Sequence, residues 1–173
     1  MRQAERDAGF SEFVVSRQDR LRRVAYAMCG SWHQADDLLQ TALTKLYVAW
    51  PRLHRTGGED AYVRRILLNT LLDERRRPWR RETPGLPDGD LAAAAQADVE
   101  GRDELVRALQ QLPRMQRRVV VLRHVADLSV EQTAAELGIT AGTVKSHTSR
   151  GLARLQELLT TPATPTSAVA REH

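Results

Sequence analysis

The sequence predicts an all-α protein of two small helical domains joined by an acidic linker, and three observations carry that prediction. Apolar residues recur three and four apart over most of 10–77 and 104–159, with no strand-like alternation. Helix start signals, a serine three residues ahead of a glutamine, stand at Ser31/Gln34 and Ser129/Gln132, with glycine stops at Gly30 and Gly138. Between the periodic blocks, Pro78, Pro84, Gly85, Pro87 and Gly89 crowd together. These signals place a first domain at 1–77, a linker at 78–103, a second domain at 104–160 and a polar tail at 161–173.

In the first domain, Phe10, Phe13, Val14, Leu21, Val24, Ala25 and Met28 mark an amphipathic helix over about 10–29. Ser31 caps the next, where Asp36 and Asp37 suit the positive end of the helix dipole. Leu38, Leu39, Ala42, Leu43, Leu46, Tyr47 and Trp50 supply its apolar content, and Pro51 is expected to stop it. The loop RLHRTGGED, 52–60, is glycine-paired and electropositive. A third helix then buries Val63, Ile66, Leu67, Thr70 and Leu71 and ends in Arg75, Arg76 and Arg77 before Pro78.

The second domain is expected to begin near Glu104, with Leu105, Val106, Leu109 and Leu112 on one helix. Pro113 opens another, apolar at Met115, Val119, Val120, Leu122 and Val125. A helix from the Ser129 cap to about Leu137 follows, Gly138 takes the left-handed turn, Ile139 plugs the angle and Thr140 caps the last helix. That helix places Val144, Thr148, Gly151, Leu152, Leu155, Leu158 and Leu159 on its packing face. Lys145, Ser146, Ser149, Arg150 and Arg154 are left outward, the layout of a major-groove reader.

Charge is unevenly distributed. Residues 61–81 carry seven arginines against Asp73 and Glu74, whereas 82–104 carry seven acids against Arg102. The basic stretch suits phosphate, and the acidic one avoids or imitates it. The single cysteine, Cys29, excludes an intramolecular disulfide and fits a reducing cytoplasm. No apolar run approaches the ~20 residues of a membrane span. The histidines at 33, 54, 124, 147 and 173 show no ligand spacing, so no metal, cofactor or catalytic group is expected.

Three segments in this order resemble the extracytoplasmic-function group of bacterial sigma factors, which keep only the two helical domains called regions two and four, and among them the actinobacterial sigma-E type. ADDLLQ at 35–40 resembles the segment that docks on RNA polymerase, AYVRRILLNTLLDERRR at 61–77 the promoter-melting helix, and 112–155 region four. Thr41, Arg64, Leu68 and His147 depart from common family choices, which touches the promoter sequence read rather than the class.

The resemblance implies an alternative sigma factor that binds core RNA polymerase, on the clamp helices of the beta-prime subunit and the flap of the beta subunit, and opens promoter DNA. It leaves an anti-sigma protein open as a further partner. Asp36, Asp37, Leu38, Leu39 and Gln40 would meet the polymerase. His54, Arg55, Arg65, Asn69, Asp73, Arg76 and Arg77 would meet the minus-ten element. Thr143, Lys145, Ser146, His147, Ser149, Arg150 and Arg154 would meet the minus-thirty-five element. Melting costs about 1.4 kcal/mol per base-pair step in stacking, so an extruded base has to be captured, and the 52–60 loop with Asn69 offers the pocket. A response-regulator-like transcriptional regulator would need a sensor domain that the all-helical first eighty residues lack. A metal-dependent nuclease would need acids less tied to helix starts and arginines than Asp36, Asp37, Glu59, Asp60, Asp73 and Glu74.

Overall fold

The computed structural model describes residues 3–54, 56–76 and 99–160, the side chains of 70–76 and 99–100 excepted. Among these, the chain forms helices and no strand: α1 (Gln3–Cys29), α2 (Trp32–Leu53), α3 (Glu59–Arg76), α4 (Val99–Gln111), α5 (Arg114–His124), α6 (Val130–Leu137) and α7 (Ala141–Thr160).

Three boundaries differ from expectation. α1 starts well before residue 10 because its first turns are pinned to α2: Arg6 donates to the Tyr47 hydroxyl at 2.7 Å, and that hydroxyl donates to Asp7 at 2.6 Å. Pro51 does not stop α2, which runs to Leu53. A proline this near a helix end forfeits little of the ladder, and the chain still closes with His54 N–H on the Trp50 carbonyl at 3.0 Å. α4 starts at Val99 rather than Glu104, its first turns held by the Tyr26 hydroxyl donating to Asp103 at 2.9 Å. Burial, then this hydrogen bond, push the Tyr26 phenol up to about 12.

Two apolar clusters hold the helices. The first joins α1, α2 and α3 through Leu21, Ala25, Leu38, Leu46, Trp50, Val63 and Leu67, with Phe10 and Phe13 edge-on to Trp50 at 5.5 Å. The second is shared by both halves: Val24, Ala27 and Met28 of α1 and Leu68 of α3 pack with Leu109, Leu112, Val121, Leu122 and Leu155. Leu21 and Ala25 form one stripe of α1, and Val24 and Met28 form the stripe beside it. Burying each large side chain of the second stripe is worth about 1.5–3 kcal/mol.

Polar contacts stitch the same seam. Gln110 donates to the Ala27 carbonyl at 3.1 Å, Arg118 to the Leu68 carbonyl at 3.2 Å, and Arg20 to the Ala126 carbonyl. Gly30, at φ 81°, ends α1, and a Cβ there would lie 2.9 Å from Gln110 Cγ, so only glycine fits both demands.

Candidate functional site

The helix-turn-helix is built by local chemistry. The Ser129 hydroxyl accepts from Gln132 N–H at 3.0 Å while Ser129 N–H donates to the Gln132 side chain at 2.8 Å, a complete capping box for α6. Gly138 closes α6 in the left-handed conformation at φ 65°. Thr140 caps α7 by accepting from Thr143 N–H at 3.2 Å, and the two threonine hydroxyls meet at 2.8 Å.

α7 buries Val144, Gly151 and Leu155. Gly151 is where α7 crosses α5, since a Cβ there would come 2.7 Å from Val120 Cγ2. Leu152 and Leu159, expected on the packing face, are exposed instead. One residue past Gly151 is about 100° round the helix, beyond the reach of α5. Leu105 of α4 is likewise exposed.

Lys145, Ser149 and Arg150 stand exposed on the outer face of α7. Arg154, also exposed, is tied to Glu157 at 2.8 Å. Ser146, His147 and Thr143 are half-buried, and His147 Nδ1 is buried without a hydrogen-bond partner.

On α3, Arg65 and Asn69 are exposed and lie four residues apart on one helix face. Asp73 and Arg76 extend the same helix, their side chains outside the described residues, as are Arg55 and Arg77 altogether. The expected 52–60 loop contracts to about 54–58. Arg52 and Leu53 finish α2, and Glu59 and Asp60 open α3, where Asp60 pairs with Arg17 at 3.3 Å. His54 stacks on Trp50 at 4.9 Å and 17°, with Nδ1 3.1 Å from a Glu59 oxygen. Its ring is thus committed on one face to the first apolar cluster. Arg64, which sequence reasoning did not place in a site, turns towards Glu136 of α6.

At the start of α2, Asp36 accepts from Arg22 in two hydrogen bonds of 2.5 and 2.8 Å, which hold its carboxyl below the usual range. The Arg22 guanidinium sits 4.5 Å over the Trp32 ring, and Trp32 stacks on Tyr26 at 3.8 Å. The only sequence signal for this stack is an aromatic directly after the Ser31 cap. The expectation of aliphatic surface here is corrected: Leu38 and Leu39 are 1% and 8% exposed and belong to the first cluster, so they cannot reach a partner. They fall on the α2 face that α1 and α3 cover. Asp37 and Gln40 are exposed. Asp37 lies 3.7 Å from His33, and its carbonyl accepts from Thr41 at 2.9 Å. Among the described residues no cluster of His, Cys, Asp and Glu could hold a metal ion, and no helix is long and apolar enough to cross a membrane.

Comparison with known proteins places this geometry. Residues 13–81 match the family Sigma-70 region 2, and residues 102–155 match Sigma-70, region 4. The chain is 41% identical over 165 residues to the RNA polymerase sigma-E factor of Streptomyces coelicolor, covering 94% of this chain and 93% of that one. It is 33% identical over 150 residues to the ECF RNA polymerase sigma factor SigM of Mycobacterium tuberculosis, covering 87% and 76%. Among solved structures, the sigma factor RpoE of Bartonella quintana, in complex with the anti-sigma factor NepR, superposes with a TM-score of 0.69 at 25% identity, covering 89% of this chain and 98% of that one.

Proposed function

The chain belongs to the extracytoplasmic-function branch of the sigma-70 family and is an alternative sigma factor for transcription initiation, and on that premise we propose how its surfaces divide the work. α7 reads the minus-thirty-five element, with Lys145 nearest the groove and Ser149, Arg150 and Arg154 beside it. Arg65 and Asn69 on α3, with the 54–58 turn and the Arg76 and Arg77 end of the helix, take the minus-ten element. The observation that carries the division is the uncovered cationic face of α7 behind a fully capped helix-turn-helix.

Asp37 and Gln40 are the groups that meet the polymerase clamp, with Asp36 held in place by Arg22 behind them and Leu38 and Leu39 acting only as backing. The acidic charge of Asp37 fits a basic partner surface. Region four reaches the flap of the beta subunit. The place of action is the cytoplasm, and the role is binding rather than catalysis. An anti-sigma protein is a further partner class, supported by the anti-sigma factor bound to the Bartonella relative. Run-off transcription with core polymerase on a genomic fragment library tests the whole reading. Transcripts starting at a shared promoter pattern are expected, and operator binding without any polymerase dependence would favour a plain regulator instead.

A further inference from the structure

The two halves of this chain cling to each other through surfaces that promoter engagement has to separate. α7 packs on α6, and α6 reaches α3 through Arg64 and Glu136. At 8–10 Å per packed pair of helices, the reading helix lies about 20 Å from the melting helix. The two promoter elements lie nearly two and a half turns of duplex apart, which at about 35 Å per turn is roughly 80 Å. The closed arrangement cannot occupy both.

We propose that this arrangement is a self-closed resting form of the sigma factor, and that the Arg64–Glu136 pair is the charged weak point that keeps it openable by core polymerase; the inference rests on the promoter reading above. Closure is driven by apolar burial, since Val24, Met28 and Leu68 of the first half are covered by the second. The ion pair works against it. Its atoms are 3.8 Å apart, too far for a hydrogen bond, in side chains 19% and 8% exposed. Arg64 Nε and Glu136 Oε1 are buried with no hydrogen-bond partner. A buried pair of this geometry does not repay the desolvation of its charges, and burial pushes the Glu136 carboxyl up although Arg64 and Arg65 pull it down. Opening returns both charges to water. It also frees Arg64 to join Arg65 on the melting helix, where phosphate replaces Glu136 as its counter-charge.

Two variants of the full chain move the balance in opposite directions. Glu136→Arg sets like charges face to face and should open the chain. Arg64→Met with Glu136→Leu replaces the pair by apolar groups of similar volume and should hold it shut. The readouts are the radius of gyration by small-angle X-ray scattering without polymerase, helix content by circular dichroism, and the rate of association with core polymerase. Wild type should scatter as a compact particle and Glu136→Arg as an expanded one of unchanged helix content that associates several-fold faster, as expected when only the open form binds. The double apolar variant should stay compact and associate several-fold more slowly. An expanded wild type, or a Glu136→Arg variant as compact as wild type, overturns the proposal. Should Glu136→Arg lose helix, the apolar variant decides alone, and association at the wild-type rate overturns it. Because compaction is read without polymerase, a wild type that is compact yet never associates with core would fault the polymerase reading and leave closure standing.

Discussion

The Arg22 guanidinium grips the Asp36 carboxylate with two hydrogen bonds, at 2.5 and 2.8 Å, across the seam between α1 and α2. The first two acids of the docking helix are thereby divided: Asp36 faces its own chain, and Asp37 is free to face another.

Asp36→Asn should therefore leave core binding nearly unchanged and cost stability, whereas Asp37→Arg should weaken pull-down of core polymerase. Both members of the Arg22 pair are about half exposed, so its worth is under about 1 kcal/mol after solvent screening. Its pH window follows from the lowered Asp36 carboxyl. The stabilisation is present above the ordinary aspartate value of about 3.9 and is lost as pH falls through the depressed one. Urea melts at neutral and acid pH would show it as a wild-type advantage over Asp36→Asn that vanishes at the acid end. A large loss of pull-down in Asp36→Asn would return that residue to the polymerase contact.

Asn69→Ala should spare core binding and closed-duplex affinity while lowering open-complex formation. Its amide is exposed on α3 one turn from Arg65, where it can reach an extruded base but supports no packing. Permanganate reactivity of promoter thymines reports the melting directly, and wild-type reactivity in the variant would make Asn69 an ordinary surface amide.

Lys145→Ala and Arg150→Ala should differ in kind. Lys145 lies nearer the N-terminus of α7 that enters the groove, so its loss should cost about 1–3 kcal/mol and relax one promoter position. Arg150, five residues on, should weaken all sequences alike and flatten the salt slope by about one unit. Binding to a panel of minus-thirty-five variants at several salt concentrations separates the two. If both variants bind every sequence as wild type does, α7 reads no DNA.

Gly151→Ala should destabilise the second half despite the gain of up to about 1 kcal/mol that alanine normally brings to a helix. The new Cβ would meet Val120 Cγ2 at 2.7 Å, a stiff, buried side chain that cannot step aside without moving α5. Overpacking of this kind costs about 1–3 kcal/mol, so the net loss should be about 1 kcal/mol or more, visible as a lower thermal midpoint. A midpoint at or above wild type would mean that the α5–α7 crossing yields freely.

Much of the reading surface was legible in the residues alone. The Ser129 box, the Gly138 turn and the outward positions of Lys145, Ser149 and Arg150 follow from contacts within four residues, which periodicity and capping rules describe well. The same rules were less successful at the first domain. They took Leu38 and Leu39 for surface because apolar residues at helical spacing mark a face, not what covers it. They took Pro51 for a stop because they could not weigh how near the helix already was to its end. They read His54 as free because Trp50, four residues back, becomes its stacking partner only once α1 has fixed the Trp50 ring.

Residue identity by itself determined that this chain is helical, where its helices cap, and which residues carry charge outward, since each of those depends on the backbone's own hydrogen bonds and on neighbours a turn away. Only the tertiary structure decided that Val24, Met28 and Leu68 lie beneath the second half, and that Arg64 meets Glu136. Those pairings join residues far apart in sequence. Their free energy comes from water expelled between whole helices, a quantity that exists only once the helices have found each other.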